Sequence, residues 1–151
     1  MSQLVIYTDG AARGNPGPGG YGAILMWGDK RKELSCGYKH TTNNRMELMA
    51  VIAALKALNR EGLNITVFSD SSYVVNAVEK GWLQGWLRTG FKGKKNPDLW
   101  KEYADVARKH NVRFVWVKGH ADNPFNNRCD ELATQAALGK NLLIDEGYEG
   151  G

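Results

Sequence analysis

Apolar residues follow an alternating, strand-like rhythm at the start of the chain. Residues 4–8 form a β-branched and aromatic run that ends at Asp9, as a central strand does. A loop rich in Gly and Pro separates this run from a second one, residues 21–27, and a short turn leads into a third extended run that continues through Tyr38. Three successive strands with short connections predict an antiparallel meander.

From Asn44 onward the apolar spacing becomes helical and then alternates with strand patterns. Leu48, Val51 and Leu55 share one helical face. Residues 65–69 are a buried-type strand that ends at Asp70. The alternation continues with a helix that Ser71 can cap, a helix over residues 99–109, a strand over residues 112–118 and a last helix from about Asn127.

The order of these elements predicts an α/β fold. Its sheet is five-stranded and mixed, an antiparallel meander of three strands plus two parallel strands, with helices on both faces. We expect a single domain over residues 1–151, because a chain of 151 residues suits one core. The polar, Gly-rich residues 139–151 predict a loose C-terminal tail.

Composition narrows the class of protein only moderately. The net charge of +4 and the pI of about 9.1 favour a polyanionic partner. Cys36 and Cys129 stand far apart and outside any close-spaced Cys/His pattern, so neither a zinc site nor a disulfide framework is indicated. The start lacks the features of a secretory signal, and the longest apolar run, residues 48–55, is far shorter than the roughly 18 residues of a membrane span. We therefore expect a soluble, cytoplasmic protein with no membrane partner, and a monomer by default.

Four carboxylates lie where predicted strands end or predicted helices begin: Asp9, Glu47, Asp70 and Asp130. Each has an ordinary explanation when it is taken alone. Asp9 can be a turn residue, and Asp70 and Asp130 can complement helix dipoles. Glu47 stands three residues after Asn44, as the acid of a capping box does. These explanations leave open why all four acids occupy element ends, which converge in α/β folds.

Glu47 fits an ordinary role least well. Val51, Ala54 and Leu58 follow it at helical spacing, so its carboxylate projects along an apolar face and needs a cation or a donor. An acidic, cysteine-free cluster suits Mg²⁺ or Mn²⁺, and two such ions can stabilise the attacking and leaving oxygens of a phosphodiester displacement. His120, in a loop shortly before Asp130, can shuttle protons, although a lone loop histidine is more often structural or solvated.

Six short motifs occur in order along the chain: Tyr7-Thr8-Asp9-Gly10, Asn15-Pro16-Gly17-Pro18-Gly19-Gly20-Tyr21-Gly22, Thr42-Asn43-Asn44-Arg45-Met46-Glu47-Leu48, Ser69-Asp70-Ser71, Val117-Lys118-Gly119-His120 and Arg128-Cys129-Asp130-Glu131-Leu132-Ala133. In these motifs the chain resembles bacterial-type ribonuclease H, type 1. The likeness runs from about residue 4 to about residue 138. Several blocks in the same order make a chance agreement improbable.

The resemblance implies a ribonuclease H-like fold and an endonuclease that cuts the RNA strand of an RNA/DNA hybrid, leaving 3′-hydroxyl and 5′-phosphate ends. It also implies that Asp9, Glu47, Asp70 and Asp130 hold two Mg²⁺ ions, for which Mn²⁺ may substitute, with Asp9 bridging them. His120 would assist proton transfer or product release.

The resemblance further assigns Asn15, Asn43 and Asn44 to the minor groove of the hybrid, and Thr42 to a phosphate of the DNA strand. Amides both donate and accept hydrogen bonds, which suits sugar and base edges, and the 2′-hydroxyl distinguishes RNA from DNA. The bland alternative for these asparagines is a role in turns and caps. For Asn43 and Asn44 this alternative is about as strong as a role in substrate binding, because either residue can cap the helix that carries Glu47.

A basic and aromatic segment lies between Lys80 and Pro97, and its candidate substrate-binding residues are Trp82, Trp86, Arg88 and Lys92. It resembles the basic protrusion with which the family's bacterial members grip the DNA strand, although it looks shorter. The alternative is a small hydrophobic knob under solvated charges.

Two positions depart from the pattern of the family. Ser72 stands where we expect glutamine, and Ala12 stands where a polar or thiol residue is common. Both departures concern hybrid affinity rather than catalysis.

Three functions are alternatives to cleavage of an RNA/DNA hybrid. Gly17-x-Gly19-x-x-Gly22 matches the dinucleotide fingerprint of oxidoreductases, but that fingerprint precedes a helix and this one precedes a predicted strand. A hybrid-binding module of the same fold without activity is a stronger rival, and all four acids speak against it. A DNA-cutting or strand-transfer enzyme of the same fold is the third, and the asparagines and the basic segment speak against it.

Overall fold

The structure is a computed structural model that describes residues 3–118 and 123–149. The elements of this part of the chain are, in order, β1 (Gln3–Ala12), β2 (Gly17–Trp27), β3 (Lys30–Thr41), α1 (Asn43–Lys56), β4 (Asn64–Ser69), α2 (Ser72–Glu79), α3 (Trp82–Arg88), α4 (Pro97–Ala107), β5 (Asn111–Trp116), α5 (Pro124–Ala137) and α6 (Glu146–Glu149). Among the helices of these residues, none has the length and apolar character needed to cross a membrane.

The five strands form one mixed sheet in the order β3-β2-β1-β4-β5. The pairs β1–β2 and β2–β3 are antiparallel, and the pairs β1–β4 and β4–β5 are parallel. This confirms the predicted meander of three strands plus two parallel strands. Thr8 of β1 pairs with Ser69 of β4, so the next residues, Asp9 within β1 and Asp70 after β4, lie side by side at the carboxyl end of β4.

Helices α1 and α5 cover opposite faces of the sheet. Leu4 and Ile6 of β1 belong to the buried cluster that contains Leu48 and Val51 of α1. Because successive side chains of a strand point to opposite faces, Tyr7 turns the other way, and its ring lies 5.1 Å from that of Phe125 in α5. The prediction of helices on both faces is confirmed.

Two glycines of β2 allow α5 to lie directly against the sheet. A Cβ atom on Gly20 would stand 2.5 Å from the carbonyl oxygen of Ala133, and one on Gly22 would stand 2.5 Å from that of Cys129. Side chains at these positions would push the helix outward. Gly22 is also the strand partner of Asp9, so the close packing brings the residue after Cys129, Asp130, towards Asp9.

Helix α1 differs from the prediction at its start. Its N-cap is Thr42, whose hydroxyl accepts a hydrogen bond from the Arg45 backbone N–H at 3.3 Å. The prediction that Asn44 caps this helix is therefore wrong, and so is the capping-box explanation of Glu47. The predicted cap at Ser71 is confirmed, because its hydroxyl accepts from the Val74 N–H at 3.2 Å.

The last two long helices begin earlier than the sequence pattern predicts. Helix α4 begins at Pro97 and α5 at Pro124, and in both the proline occupies the first turn, where its missing N–H is not needed. The side chain of Asn123 caps α5 by accepting from the N–H groups of Phe125 and Asn126. The apolar spacing by which the helices were predicted starts only after these capping residues.

The C-terminal tail is docked on the fold rather than loose, at least as far as residue 148. Leu143 forms a parallel bridge with Tyr38 of β3. Its N–H donates to the Gly37 carbonyl, and its carbonyl accepts from the Lys39 N–H. Asp145, 2% exposed, is buried against the start of α1. The expectation of a loose tail over residues 139–151 thus fails for residues 143–148, because a buried charge there has partners far away in sequence.

Candidate functional site

Three of the four predicted acids converge at one edge of the sheet. Asp9 lies near the end of β1, Asp70 directly follows β4, and Glu47 lies in the first turns of α1. Each offers one carboxylate oxygen, and these oxygens lie within 4.8 Å of one another. A Cβ atom on Gly10 would collide with the backbone nitrogen of Glu47, so the glycine after Asp9 lets the two acids approach. We call Asp9, Glu47 and Asp70 the acid centre.

Asp130 reaches the same site from the opposite face of the sheet. With the acid centre, it lines a cavity of about 310 Å³. Its charge also contributes to raising the pKa of Asp9. Its oxygens are not part of the group within 4.8 Å. The arrangement therefore has a tight cluster of three acids and a fourth acid across the cavity.

The acid centre is buried and lacks an internal cation. Asp9 is 5% exposed and Glu47 is 9% exposed. In residues 3–118 and 123–149, no Lys or Arg side chain forms an ion pair with any of the three acids. Glu47 Oε1 and Asp70 Oδ1 are buried and, within this part of the chain, have no hydrogen-bond partner. Buried polar atoms without partners are rare in proteins and indicate a missing ligand or ion.

Burial and mutual repulsion both raise the proton affinity of the acid centre. The pKa of Asp9 is raised to about 8, chiefly by burial and then by the charge of Asp70, although the Gly10 N–H, at 2.9 Å from Asp9 Oδ1, lowers it in part. The pKa of Glu47 is raised well above its ordinary value by burial and by the charges of Asp9 and Asp70. A cation between the carboxylates would therefore favour their ionised forms.

The residues present fit a hard divalent cation. All of the acidic donors are oxygens, two of them are buried without partners, and the cavity opens beside them to admit a phosphate and water. Mg²⁺ and Mn²⁺ prefer such ligands, and Mg²⁺ keeps part of its shell for water and substrate phosphate. The donor set, rather than the resemblance alone, thus supports a metal site.

Asn126 is a member of this cavity that sequence reasoning missed. It lies in the first turn of α5, is 2% exposed and lines the same space as Asp130. Its side-chain oxygen is buried and has no partner among the described residues. Its position one helical turn before Asp130 is the signal that could have identified it.

His120 lies outside the described residues, so its predicted role stays a prediction. The predicted substrate-binding residues Asn15, Thr42, Asn43 and Asn44 are described. The Asn43 side-chain oxygen accepts from the Ala12 N–H at 2.7 Å, and the Asn43 N–H donates to Asn15 Oδ1 at 3.1 Å. These bonds join the loop after β1 to the start of α1, beside the acid centre.

A second, larger cavity adjoins these asparagines. It has a volume of about 550 Å³, and its walls include Asn15, Thr42, Asn44, Lys95 and Tyr148. Asn43, by contrast, lines the acidic cavity. The hydrogen bond between Asn15 and Asn43 therefore connects the two spaces, and the four predicted contact residues form one continuous border.

The basic segment is divided by the structure into an exposed part and a packed part. Trp82 is 44% exposed, with the Lys80 ammonium 5.7 Å from its ring. Trp86 is partly buried, and its ring packs 5.8 Å from that of the fully buried Trp100. Arg88 and Lys92 are exposed. Trp86 thus supports the core, which matches the hydrophobic-knob alternative, whereas Trp82, Arg88 and Lys92 are accessible to a partner.

A second acidic cluster, not anticipated from the sequence, surrounds Arg45. This guanidinium is buried, 2% exposed, and donates to Asp98 and Asp145 at distances of 2.6 to 3.0 Å. It also donates to the Asn96 side-chain oxygen at 3.1 Å. The bonds from Arg45 lower the pKa of Asp98. We call Arg45, Asp98 and Asp145 the Arg45 cluster.

Comparisons with known proteins agree with this geometry. The family model described as RNase H matches residues 1–138. The chain is 51% identical over 153 residues to a protein named Ribonuclease H from Syntrophus aciditrophicus strain SB, covering 98% of this chain and 88% of that protein.

The chain is also similar to solved structures of RNase H proteins. LC9-RNase H1, described as a type 1 RNase H with the type 2 active-site motif, has 29% identity and a TM-score of 0.83 over 99% of this chain and 80% of that one. LC11-RNase H1, solved in complex with an RNA/DNA hybrid, has 28% identity and a TM-score of 0.63 over 89% of this chain and 96% of that one.

Proposed function

The chain belongs to the RNase H family, and on that premise we propose that it is an endonuclease that hydrolyses the RNA strand of RNA/DNA hybrids and leaves 3′-hydroxyl and 5′-phosphate ends. The observation that carries the proposal is the acid centre, three carboxylates within 4.8 Å, two of them buried, which have no ion pair with a lysine or arginine of the described residues. Such a cluster is costly to the fold, and hydrolysis of a phosphodiester is the chemistry that it suits.

In this proposal the acids hold two Mg²⁺ ions, for which Mn²⁺ can substitute. Asp9, Glu47 and Asp70 would hold one ion, and Asp130, across the cavity from them, would hold the second together with Asp9. When bound, the ions neutralise the carboxylates and stabilise negative charge on the attacking and leaving oxygens of the phosphodiester. The intact set of four acids also argues against the rival of an inactive hybrid-binding module.

The border residues select an RNA strand. Asn15, Asn43 and Asn44 carry amides that donate and accept, and they stand beside the acid centre where the sugars of the cut strand would pass. Contacts to 2′-hydroxyl groups distinguish RNA from DNA without reading the base sequence. Thr42 would contact a phosphate of the DNA strand while its hydroxyl also caps α1.

Basic side chains supply affinity that depends on salt concentration. Arg88 and Lys92 are exposed, as is Trp82, and together they would follow the backbone of the DNA strand. Trp86 would act indirectly, because its ring supports the segment from below. His120 would move a proton during hydrolysis or assist product release.

We further propose that the protein is a cytoplasmic monomer. Both cysteines, Cys36 and Cys129, are free, as expected in a reducing compartment.

A cleavage assay tests this function. The protein is incubated with a labelled RNA/DNA hybrid, the matched DNA duplex and the matched RNA duplex, each with Mg²⁺ and with excess chelator. We expect cleavage of the RNA in the hybrid with Mg²⁺ only, and little cleavage of either duplex. Equal cutting of all three substrates would contradict the proposed substrate, and undiminished cutting with chelator would contradict the metal site.

A further inference from the structure

The C-terminal segment, residues 143–148, reaches the border of the 550 Å³ cavity at Gly147 and Tyr148. It starts as an extra edge on the sheet, where the Leu143 N–H donates to the Gly37 carbonyl at 2.9 Å and the Lys39 N–H donates to the Leu143 carbonyl at 2.8 Å. These bonds continue the sheet beyond β3. The path of the segment is therefore set by main-chain pairing before it reaches the cavity.

Asp145 anchors the middle of the segment. Its Oδ2 accepts from the Thr41 hydroxyl at 2.6 Å and from Arg45 Nε at 2.7 Å, and its Oδ1 accepts from Arg45 Nη2 at 2.9 Å. Arg45 reaches Asn96 and Asp98 with its remaining donors. One buried carboxylate thus ties together the end of β3, the start of α1 and the start of α4.

The starts of α1 and α4 also supply walls of the cavity, and Asp98 of α4 is one of the lining residues. Thr42 and Asn44 come from the start of α1, and Lys95 directly precedes Asn96, the N-cap of α4. A hydroxyl, amides and an ammonium facing one space suit the sugar and phosphate groups of a nucleic acid. The segment therefore holds the elements that form this polar space at a fixed separation.

Tyr148 completes the cavity from the C-terminal side. Its N–H donates to the Asp145 carbonyl at 3.1 Å, and its ring lies 5.3 Å from that of His40. The ring is half-buried, and within the described residues its hydroxyl has no hydrogen-bond partner. A Cβ atom on Gly147 would collide with the Asp98 carboxylate, so the glycine lets the chain pass close to the Arg45 cluster without displacing Asp98.

We propose that the C-terminal segment is part of the substrate-binding surface: Tyr148 donates a hydrogen bond from its hydroxyl to the sugar-phosphate backbone in the 550 Å³ cavity, and Asp145 is a positioning residue for that contact. This inference rests on the proposed function, because it takes an RNA/DNA hybrid as the ligand. It adds a contact from a region that is distant in sequence from the acid centre.

Kinetics of Tyr148 variants test the contact. Tyr148→Phe removes only the hydroxyl, and we expect KM for the hybrid to rise about fivefold with kcat within about twofold of the original value, as for the loss of one hydrogen bond. Tyr148→Ala also removes the ring and should raise KM about tenfold. The matched control is Tyr21→Phe, which makes the same chemical change outside this cavity and should leave both constants unchanged.

Salt dependence separates this contact from the ionic ones. Tyrosine carries no charge, so Tyr148→Phe should lower the affinity for the hybrid without changing the slope of log K against log salt concentration. Lys95→Ala should reduce that slope by up to about one unit if Lys95 neutralises a phosphate. A changed slope in Tyr148→Phe would overturn the assignment of an uncharged hydrogen bond.

Asp145→Asn tests the positioning role. We expect a rise in KM together with lower stability, measured well below the midpoint of thermal unfolding of the variant. A merely structural role would reduce the fraction of active protein, which lowers apparent kcat and leaves KM unchanged, and that result would overturn the role.

The two proposals fail in different ways. If the unaltered protein cleaves hybrid and Tyr148→Ala has the same KM as the unaltered protein, the inference is wrong and the proposed function stands. If the unaltered protein cleaves no hybrid, the proposed function fails first.

Discussion

Two groups of acids flank the first turns of α1, and they differ in the source of their counter-charge. In the Arg45 cluster, Asp98 and Asp145 share a buried guanidinium at distances of 2.6 to 3.0 Å. In the acid centre, Asp9, Glu47 and Asp70 lie within 4.8 Å of one another and pair with no lysine or arginine of residues 3–118 and 123–149. Arg45 and Glu47 are two residues apart on the same helix.

The difference separates a structural role from a functional one. Arg45 lowers the pKa of Asp98, so the ionised form of that acid is stabilised by the fold. Burial and mutual repulsion raise the pKa of Asp9 to about 8 and that of Glu47 well above its ordinary value, so their ionised forms are destabilised. A fold keeps such repulsion where a cation from solution relieves it. Burial of a single acid does not separate the two clusters, because Asp145 is 2% exposed and Asp9 is 5% exposed.

The largest effect is expected from neutralising one member of the acid centre. Asp70→Asn should lower the rate of hybrid cleavage at least about a thousandfold, because Asp70 is proposed to hold the metal ion that stabilises negative charge at the reacting phosphate. The matched control is Asp98→Asn, which neutralises an acid of the Arg45 cluster and should retain most of the rate. Single-turnover cleavage of labelled hybrid measures both, and similar rates in the two variants would remove the distinction between the clusters.

The Arg45 cluster should affect the free energy of unfolding more than it affects the cleavage rate. Arg45→Met leaves the buried charge of Asp145 without its partner and should lower the free energy of unfolding by about 3–5 kcal/mol. Lys56→Met breaks an ion pair with Glu102 in which the lysine side chain is 57% exposed, and it should cost less than about 1 kcal/mol. Urea unfolding with chelator present compares them, and equal midpoints would contradict a stabilising role for the Arg45 cluster.

An effect of opposite sign is expected from Asp9→Asn in metal-free protein. The raised pKa of Asp9, about 8 in the folded state, means that ionisation of this carboxyl destabilises the fold as pH rises above the unfolded pKa near 4. At pH 8 the variant should therefore be more stable than the original protein, and at pH 4 the difference should vanish. Saturating Mg²⁺ should remove the advantage, since only the original site gains from the ion.

Loss of a single neutral donor should have the smallest effect. Thr41→Val removes the hydroxyl that donates to Asp145 at 2.6 Å and should lower the free energy of unfolding by about 1 kcal/mol, with kcat unchanged. Thermal unfolding and steady-state cleavage measure the two quantities. A large drop in kcat at full folding would show that the Arg45 cluster acts on the chemistry, which contradicts the comparison.

The sequence predicts the acid centre better than the Arg45 cluster for a physical reason. Asp9 and Asp70 follow apolar strand runs, and the parallel pairing of those strands brings them together. Glu47 stands out because its face of the helix is apolar. Arg45 and Asp145, in contrast, are separated by 100 positions, and no local pattern relates them. The docking of the tail could not be predicted for the same reason.

Local sequence preferences do not identify the correct residue where neighbouring residues are equally suited to one structural role. Thr42, Asn43 and Asn44 are all good helix caps, and only the backbone geometry selects Thr42. Trp82 and Trp86 share a helical spacing, yet the buried Trp100 contacts only Trp86 of the two rings. Propensity ranks these alternatives nearly equally, so tertiary packing decides between them.

Binding of Mg²⁺ measured by titration calorimetry tests most directly whether the acid centre, and not the Arg45 cluster, takes its cation from solution. The original protein, Glu47→Gln and Asp98→Asn are titrated under identical conditions. We predict that Asp98→Asn binds Mg²⁺ within about twofold of the original affinity and that Glu47→Gln binds at least about tenfold more weakly. Unchanged affinity in Glu47→Gln, or a loss confined to Asp98→Asn, would contradict the assignment.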